Sequence, residues 1–415
     1  MSSLTLIGAH RAVSELLENR PKSWDVVRFK GLFQRLDRRN VDLAYEMLSL
    51  RSTGEIVARA EMGGRQEPDE ASLPKYLVTE IDDLVVNPMW LIGGGIGVSR
   101  RAGAVSPDYR VFRSRGALLP RFVHHLLRSQ PYLDQYLLYT RAQTTFDRRV
   151  QQPDLDNLPL PVPPLEEQRA IADYLDGETS RIDRLIEEQQ RLIEMLRERR
   201  ESAIRAVLLR GLDSDAPLRA SGSEFLGSIP SAWNVIPTRH LCTITTGNED
   251  SGNATEDGTY PFYVRGREVL RSNAYAFDGE AVMTPGDGQG GTGKVFHYFD
   301  GKFQAHQRVY VFTDFHGING RYFYYYLSTF LRPIALAGSN TVTMESLRRP
   351  LLAGFPVAVP PADEQTRILG YLDKQTAKID QLIAETEQFI ELSQERRAAL
   401  ITATVTGQID VREAA

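Results

Sequence analysis

The feature that most constrains this chain is that part of it occurs twice. Pro163-Pro164-Leu165-Glu166-Glu167-Gln168 recurs as Pro360-Pro361-Ala362-Asp363-Glu364-Gln365, 197 residues later. At the same offset Ile171, Tyr174, Leu175 and Asp176 meet Ile368, Tyr371, Leu372 and Asp373. The match continues through Ile182-Asp183, Leu185-Ile186 and Glu198-Arg199-Arg200, which return as Ile379-Asp380, Leu382-Ile383 and Glu395-Arg396-Arg397. It closes on Ile204 with Ile401 and Asp213 with Asp410. A weaker echo lies upstream, where Pro21-x-x-Trp24-x-Val26 returns as Pro230-x-x-Trp233-x-Val235 at an offset of 209. Residues 106–112, ending Arg110-Val111-Phe112, likewise resemble 306–312, ending Tyr310-Val311-Phe312. Self-similarity of this kind is the signature of a repeated structural unit. The order is variable, constant, variable, constant.

The constant unit reads as a long helix. Two prolines and then acids suit a helix entry and its dipole. Apolar residues follow at spacings of three, four and seven: Ile171, Leu175, Ile182, Leu185, Ile186, Leu192, Ile193, Leu196, Ile204 and Val207. The second copy offers Ile368, Leu372, Ile379, Leu382, Ile383, Phe389, Ile390, Leu400 and Ile401. The stripe is narrow, as in a coiled-coil seam. A helix of roughly 45 residues, ~65–70 Å long, cannot hold such a stripe alone. It packs either on its own globular unit or on the other helix, and chain order favours an antiparallel pair.

The variable units, within 20–160 and 224–358, read as α+β. Strand-like runs lie at 76–86, 109–112, 294–298 and 309–313, with helices near 118–127 and 320–330. The expected fold is two globular α+β domains separated by two long helices in an antiparallel coiled coil, with an internal pseudo-twofold repeat. The expected divisions are 1–160, 161–213, 214–358 and 359–415.

Composition excludes several classes. A single cysteine, Cys242, rules out an intramolecular disulfide and disfavours a thiolate zinc site. The seven histidines form no HxH or HxxxH cluster. The most apolar stretch, 84–98, is too short and too broken by Asn87, Pro88 and glycines to span a bilayer. With no signal-peptide pattern at the start, a cytoplasmic protein without a membrane partner is expected. The net charge of −5 gives no general case for nucleic acid, yet residues 100–149 hold ten arginines against three acids. That excess suits a phosphate-facing patch or a solvated basic face.

Two motifs suggest enzymes and fail. Asn87-Pro88-Met89-Trp90 resembles the Asn-Pro-Pro-aromatic loop of adenine methyltransferases, but Met89 replaces the second proline and no separate cofactor loop is present. Gly288-x-x-x-x-Gly293-Lys294 resembles a phosphate-binding loop, but Val295 stands where a magnesium-ligating hydroxyl belongs. A strand-like run follows instead of a helix. The glycine-rich segments 93–101 and 288–294 read as counterpart loops, either binding loops or plain surface loops.

These residues together resemble the specificity subunits of Type I restriction–modification systems. The resemblance rests on the Pro-x-x-Trp openings, Asn87-Pro88-Met89 before a glycine-rich strand entry, and Val105-Ser106-Pro107-Asp108-Tyr109. It also rests on the Pro-Pro-x-x-Glu-Gln helix starts, Thr179-x-x-Ile182-Asp183-x-Leu185-Ile186 and the closing Val405-Thr406-Gly407. It covers about residues 20–412. It implies that each globular unit is a target-recognition domain reading half of a split, asymmetric sequence in double-stranded DNA. It implies that the helices act as spacer and docking site for two methyltransferase subunits, which restriction/translocase subunits join. S-adenosylmethionine, ATP and magnesium would then serve those partners. This chain would hold no cofactor and no catalytic residue. A coiled-coil DNA-binding scaffold or regulator unrelated to restriction is the other reading of the same pattern.

The candidate DNA-binding residues of the first unit are Ser99, Arg100, Arg101, Arg110, Arg113, Thr144 and Thr145. Those of the second are Gln289, Thr292, Lys294, His306, Arg308, Asn340 and Thr341. Arginine suits guanine or phosphate, and Asn or Gln suits adenine. Thr144-Thr145 and Asn340-Thr341 sit at comparable places before each Pro-Pro.

Overall fold

The computed structural model describes residues 11–63, 69–140, 148–287, 293–337 and 347–411. It divides into two compact units, residues 1–190 with 388–415, and residues 191–387.

The first unit begins with α1 (Arg11–Asn19), β1 (Asp25–Arg28), α2 (Phe29–Leu32) and β2 (Phe33–Leu36). Seven short strands follow: β3 (Leu48–Leu50), β4 (Ile56–Ala58), β5 (Leu77–Thr79), β6 (Leu84–Val86), β7 (Ile96–Val98), β8 (Gly103–Val105) and β9 (Arg110–Ser114). Then come α3 (Pro120–Leu127), α4 (Gln130–Tyr139), α5 (Gln152–Asn157), β10 (Pro159–Val162) and the long helix α6 (Leu165–Arg210). A four-stranded antiparallel sheet runs in the order β2-β9-β6-β7. Strand alternation splits its side chains between two cores. Leu84, Val86 and Phe112 pack with Trp24, α3 and Tyr132 of α4, whereas Val85 and Val111 pack with Leu48, Leu77 and Val105.

The second unit repeats this frame. It contains β11 (Leu218–Ala220), β12 (Ser228–Pro230), β13 (Asn234–Pro237), β14 (Thr243–Thr246), β15 (Tyr260–Tyr263), β16 (Val269–Ser272), β17 (Phe277–Pro285), β18 (His297–Ala305) and β19 (Val309–Thr313). After them come α7 (Gly320–Ala337), α8 (Arg349–Gly354), β20 (Pro356–Val359) and the second long helix α9 (Ala362–Val405). The six-stranded sheet has the order β14-β19-β17-β18-β15-β16, with β15 and β18 parallel. Val282 and Phe312 face α7, and Met283 and Val311 face a second core with Phe303. Each unit is closed by the same device. The strand after Pro-x-x-Trp pairs antiparallel with the strand before Pro-Pro, as β1 with β10 and β13 with β20.

The long helices have 46 and 44 residues, as the repeated stripe requires. Each unit holds a stretch of both, and in each the two run antiparallel. In the first unit Arg397 of α9 pairs with Asp183 of α6 at 2.8 Å, and Ile171 and Leu175 share a core with Ile401 and Val405. In the second, Arg197 meets Glu387 at 3.1 Å and Arg200 meets Asp380 at 2.9 Å. There Ile204 and Leu208 pack with Ile368 and Leu372. Not all of the expected stripe is buried, since Leu192, Leu382 and Phe389 are exposed.

Three expected elements differ. The run 76–86 is two strands, because Asp82 adopts φ of +68° and the Asp83 carboxylate accepts the Glu80 N–H at 2.9 Å, which makes a turn. The expected strand at 294–298 begins only at His297. The glycine-rich segment 93–101 is no free loop. Gly94 takes φ of +78°, and β7 lies so close to Gly54 that a Cβ on Gly97 would overlap the Gly54 carbonyl.

Candidate nucleic-acid interface

The copied glutamines show what the repeat is for. Gln168 is fully buried near the start of α6. Its Oε1 accepts the Leu119 N–H at 2.7 Å, at the entry to α3, and its Nε2 donates to the carbonyls of Ala117 (3.0 Å) and Pro163 (2.8 Å). Gln365 does the same in the second unit. It accepts from the Asn319 N–H at 2.8 Å and donates to Gly317 and Pro360 at 3.1 and 2.9 Å. A side-chain clamp about two turns further on is also repeated. Arg121 of α3 binds Asp173 and Asp176 of α6, and His125 adds a 2.7 Å contact to Asp176. In the second unit Arg321 of α7 binds Asp373 of α9 through both guanidinium ends, at 2.6 and 2.9 Å, with Tyr325 at 3.5 Å. The hydrogen bond from His125, helped by Arg121, holds the Asp176 carboxyl down at about 2.

Beside the first clamp lies a cleft between the sheet domain and both long helices of its unit, and the second unit has a cleft between its sheet domain, α7 and α6. The first measures about 1170 Å³ and mixes charges, with Arg100, Arg101 and Arg128 facing Asp82, Asp183 and Glu187. Arg128 is a structural part of its wall. Its guanidinium donates to the carbonyls of Gly94, Ile96 and Ser52 and so fixes the glycine turn, while burial brings its pKa down to about 10. Burial, then the neighbouring His125, Arg128 and Arg100, pushes His124 down to about 3, so it is neutral at physiological pH. The second cleft, about 1050 Å³, is basic. Arg200, Arg267, Lys294 and Arg332 line it around Tyr324, Ser328 and Thr329, and Glu201 is the one acid among its described lining residues. Arg267, Lys294 and Arg332 are exposed and enter no ion pair among the described residues. Cations beside hydroxyls and aromatic rings suit contact with phosphates and bases.

The residues expected from sequence fall in different settings. Arg100 and Arg101 line the first cleft, where Arg101 also meets Glu61 at 3.4 Å, and Lys294 lines the second. Ser99 is buried, and its hydroxyl donates to the Arg101 carbonyl at 2.7 Å, shaping the turn that carries both arginines. Arg113 is committed to the buried Asp83 (2.9 Å) and to Glu80 (2.8 Å), which raises its pKa. Arg110 is buried at the start of β9. His306 is buried with its Nδ1 accepting the Arg308 N–H at 3.0 Å, and burial lowers its pKa, followed by Arg265. The Arg308 side chain meets Asp287 at 3.2 Å. Thr144, Thr145, Gln289, Thr292, Asn340 and Thr341 lie outside the described residues. Sequence reasoning missed His124, Arg128, Arg267 and Arg332, whose shared walls join segments far apart in the chain. The signal available was the basic end of the helix at 120–127.

Among the described residues there is no group of His, Cys, Asp or Glu arranged to hold a metal, and no helix is long and apolar enough to cross a membrane. The model of the Type I restriction modification DNA specificity domain matches residues 117–195 and 230–392. The chain is 30% identical over 183 residues to the EcoDI Type I restriction enzyme specificity subunit of Escherichia coli, a match covering 44% of this chain and 40% of that subunit. A second match, 22% identical over 309 residues, is to the putative MjaX specificity subunit of Methanocaldococcus jannaschii and covers 68% and 69% of the two chains. A chain from a structure on complex assembly and conformational transition of the type I R-M system superposes with a TM-score of 0.74 at 17% identity, covering 94% of this chain and 99% of that one. The HsdS subunit from Thermoanaerobacter tengcongensis superposes at 0.53, also at 17% identity, covering 94% and 98%. The chain belongs to the family of Type I restriction modification DNA specificity domain proteins.

Proposed function

We propose that this chain is the non-catalytic specificity subunit of a Type I restriction–modification complex. Each unit reads one half of a split target in double-stranded DNA. The long helices space the two half-sites and dock two methyltransferase subunits, which restriction/translocase subunits join. S-adenosylmethionine, ATP and magnesium serve those partners, and the complex works in the cytoplasm. The observation that carries this reading is a copied joint with uncopied surfaces. Gln168 and Gln365 make the same three bonds, while the adjoining clefts differ in charge and shape. Two unlike readers on one frame read two unlike half-sites. Exposed apolar side chains on the helices, Leu192 and Met195 in one unit and Phe389 and Leu392 in the other, support partner docking there. The test is methylome sequencing of cells expressing the chain with its methyltransferase. One asymmetric bipartite methylated motif is expected. A continuous palindrome, or no methylation, refutes the reading.

A further inference from the structure

Arg110 is an electrostatic anomaly. It is 8% exposed, its Nη1 is buried without a hydrogen-bond partner, and its guanidinium enters no ion pair among the described residues. A buried, unpaired cation is costly, and proteins retain one only where something repays it.

Its neighbours deepen the anomaly. Arg110 faces Val86 across the sheet, and Arg35 faces Phe112 two residues along β9. Strand alternation puts Arg35 and Arg110 on the face that carries Phe112, as diagonal neighbours where the apolar surface ends. Arg149 joins them from the segment just before α5, which packs against the turn after β6. The Val150 N–H donates to the Pro88 carbonyl at 3.0 Å, and Arg149 Nε lies 3.3 Å from the Met89 sulfur. Arg149 meets Asp108 only loosely, at 3.8 Å. Burial, then Arg35 and Arg149, brings Arg110 down to about 10, with Asp156 opposing them, so it stays charged at neutral pH.

The frame does not need this charge. The matching position in the second unit is Tyr310 of β19, whose hydroxyl donates to the Leu347 carbonyl at 3.2 Å. Leu347 is tied to Gly286 as Val150 is tied to Pro88. A neutral, satisfied side chain therefore suffices for the same register.

We propose that Arg110, with Arg35 and Arg149 at the rim, forms an anion site that takes one backbone phosphate of the bound DNA. Three converging cations suit a full negative charge better than the partial charges of a base edge. The proposal rests on the DNA-reading function proposed above and adds a contact that the second unit does not duplicate.

The test is Arg110→Met in the full chain assembled with its methyltransferase subunits, on a duplex carrying the motif from methylome sequencing. Removing an unpaired buried charge should leave the melting temperature unchanged or raise it by about 1–3 °C. DNA affinity should fall about tenfold. The slope of log affinity against log salt should become shallower by about 0.9, and the methylated motif should not change. Arg110→Lys should keep most of that slope. Unchanged affinity and slope in Arg110→Met overturn the proposal. So does a lower melting temperature or failure to fold, which makes the side chain a structural member, and so does relaxed specificity at one base pair, which makes it a base reader. A wild-type complex with no bipartite motif defeats the underlying function, and the phosphate site with it. A working wild type with an indifferent variant defeats the phosphate site alone.

Discussion

Gln168→Ala tests the joint between reader and helix. The amide makes three hydrogen bonds, of 2.7, 2.8 and 3.0 Å, all to backbone groups, in a place with no solvent exposure. Alanine leaves the Leu119 N–H and the carbonyls of Ala117 and Pro163 without this partner. Each net bond is worth about 1 kcal/mol, and a buried group left unsatisfied costs about 1–3 kcal/mol. The expected loss is therefore about 3–5 kcal/mol in the first unit. Hydrogen-exchange mass spectrometry is the suitable assay, because it reports on the two units separately and Gln365 serves as an internal control. Amides of the first unit that exchange through its opening should speed up by about two to three and a half orders of magnitude, at about 1.4 kcal/mol per tenfold. Those of the second unit should hardly change, and Gln365→Ala should reverse the pattern. Gln168→Glu would place a carboxylate against two carbonyl oxygens. Its pKa would be raised in the folded state, so this variant should gain stability as pH falls and lose it as pH rises through the folded pKa. A Gln168→Ala loss under about 1 kcal/mol, or equal loosening of both units, would refute the joint.

Two further expectations follow from the charged groups of the first unit. Arg113→Met strips the partner from Asp83, whose side chain is 1% exposed, so unfolding should become easier by about 2–3 kcal/mol. Because the Arg113 donors are already committed to Asp83 and Glu80, the salt dependence of DNA binding should stay as it is; a slope shallower by about one would make Arg113 a phosphate contact instead. Asp176→Asn bears on acid stability. A carboxyl held at about 2 in the folded state and near 4 when unfolded gives stability that is complete above about pH 4 and lost as pH falls through about 2. Acid unfolding curves of the first unit should show that limb in the wild type and not in the variant, and identical curves would count against the clamp.

What sequence made legible was whatever depends on local pattern. The long helices were visible because a period of three and four over some 45 residues, repeated at offset 197, has no other folding outcome. Pro-Pro-x-x-Glu-Gln was visible as a motif, but its purpose was not. Gln168 acts on Leu119 and Ala117, 49 and 51 residues upstream, and nothing local links them. The turn at Asp82 was lost inside an apolar run because its signal is one carboxylate hydrogen bond. Ser99 reads as a surface group because sequence does not reveal burial, and Arg113, though exposed, reads as free because sequence does not show the buried Asp83 it neutralises. The basic cleft is assembled from Arg200, Arg267, Lys294 and Arg332, which only the fold brings together.

The chemistry of the joint explains how a copied part can carry uncopied readers. A carboxamide offers an acceptor and two donors without charge, which suits a buried place flanked by one N–H and two carbonyls. Every group it binds on the reader is main chain: Leu119 N–H and Ala117 O in one unit, Asn319 N–H and Gly317 O in the other. Main-chain groups persist whatever side chain a position bears, so the joint tolerates Leu in one unit and Asn in the other. The outer clamp obeys a looser rule. Its Arg–Asp pair is kept, but His125 in one unit gives way to Tyr325 in the other, since either can reach the carboxylate. Recognition surfaces can therefore diverge between the two units while each sheet domain remains held to its helix by the same bonds.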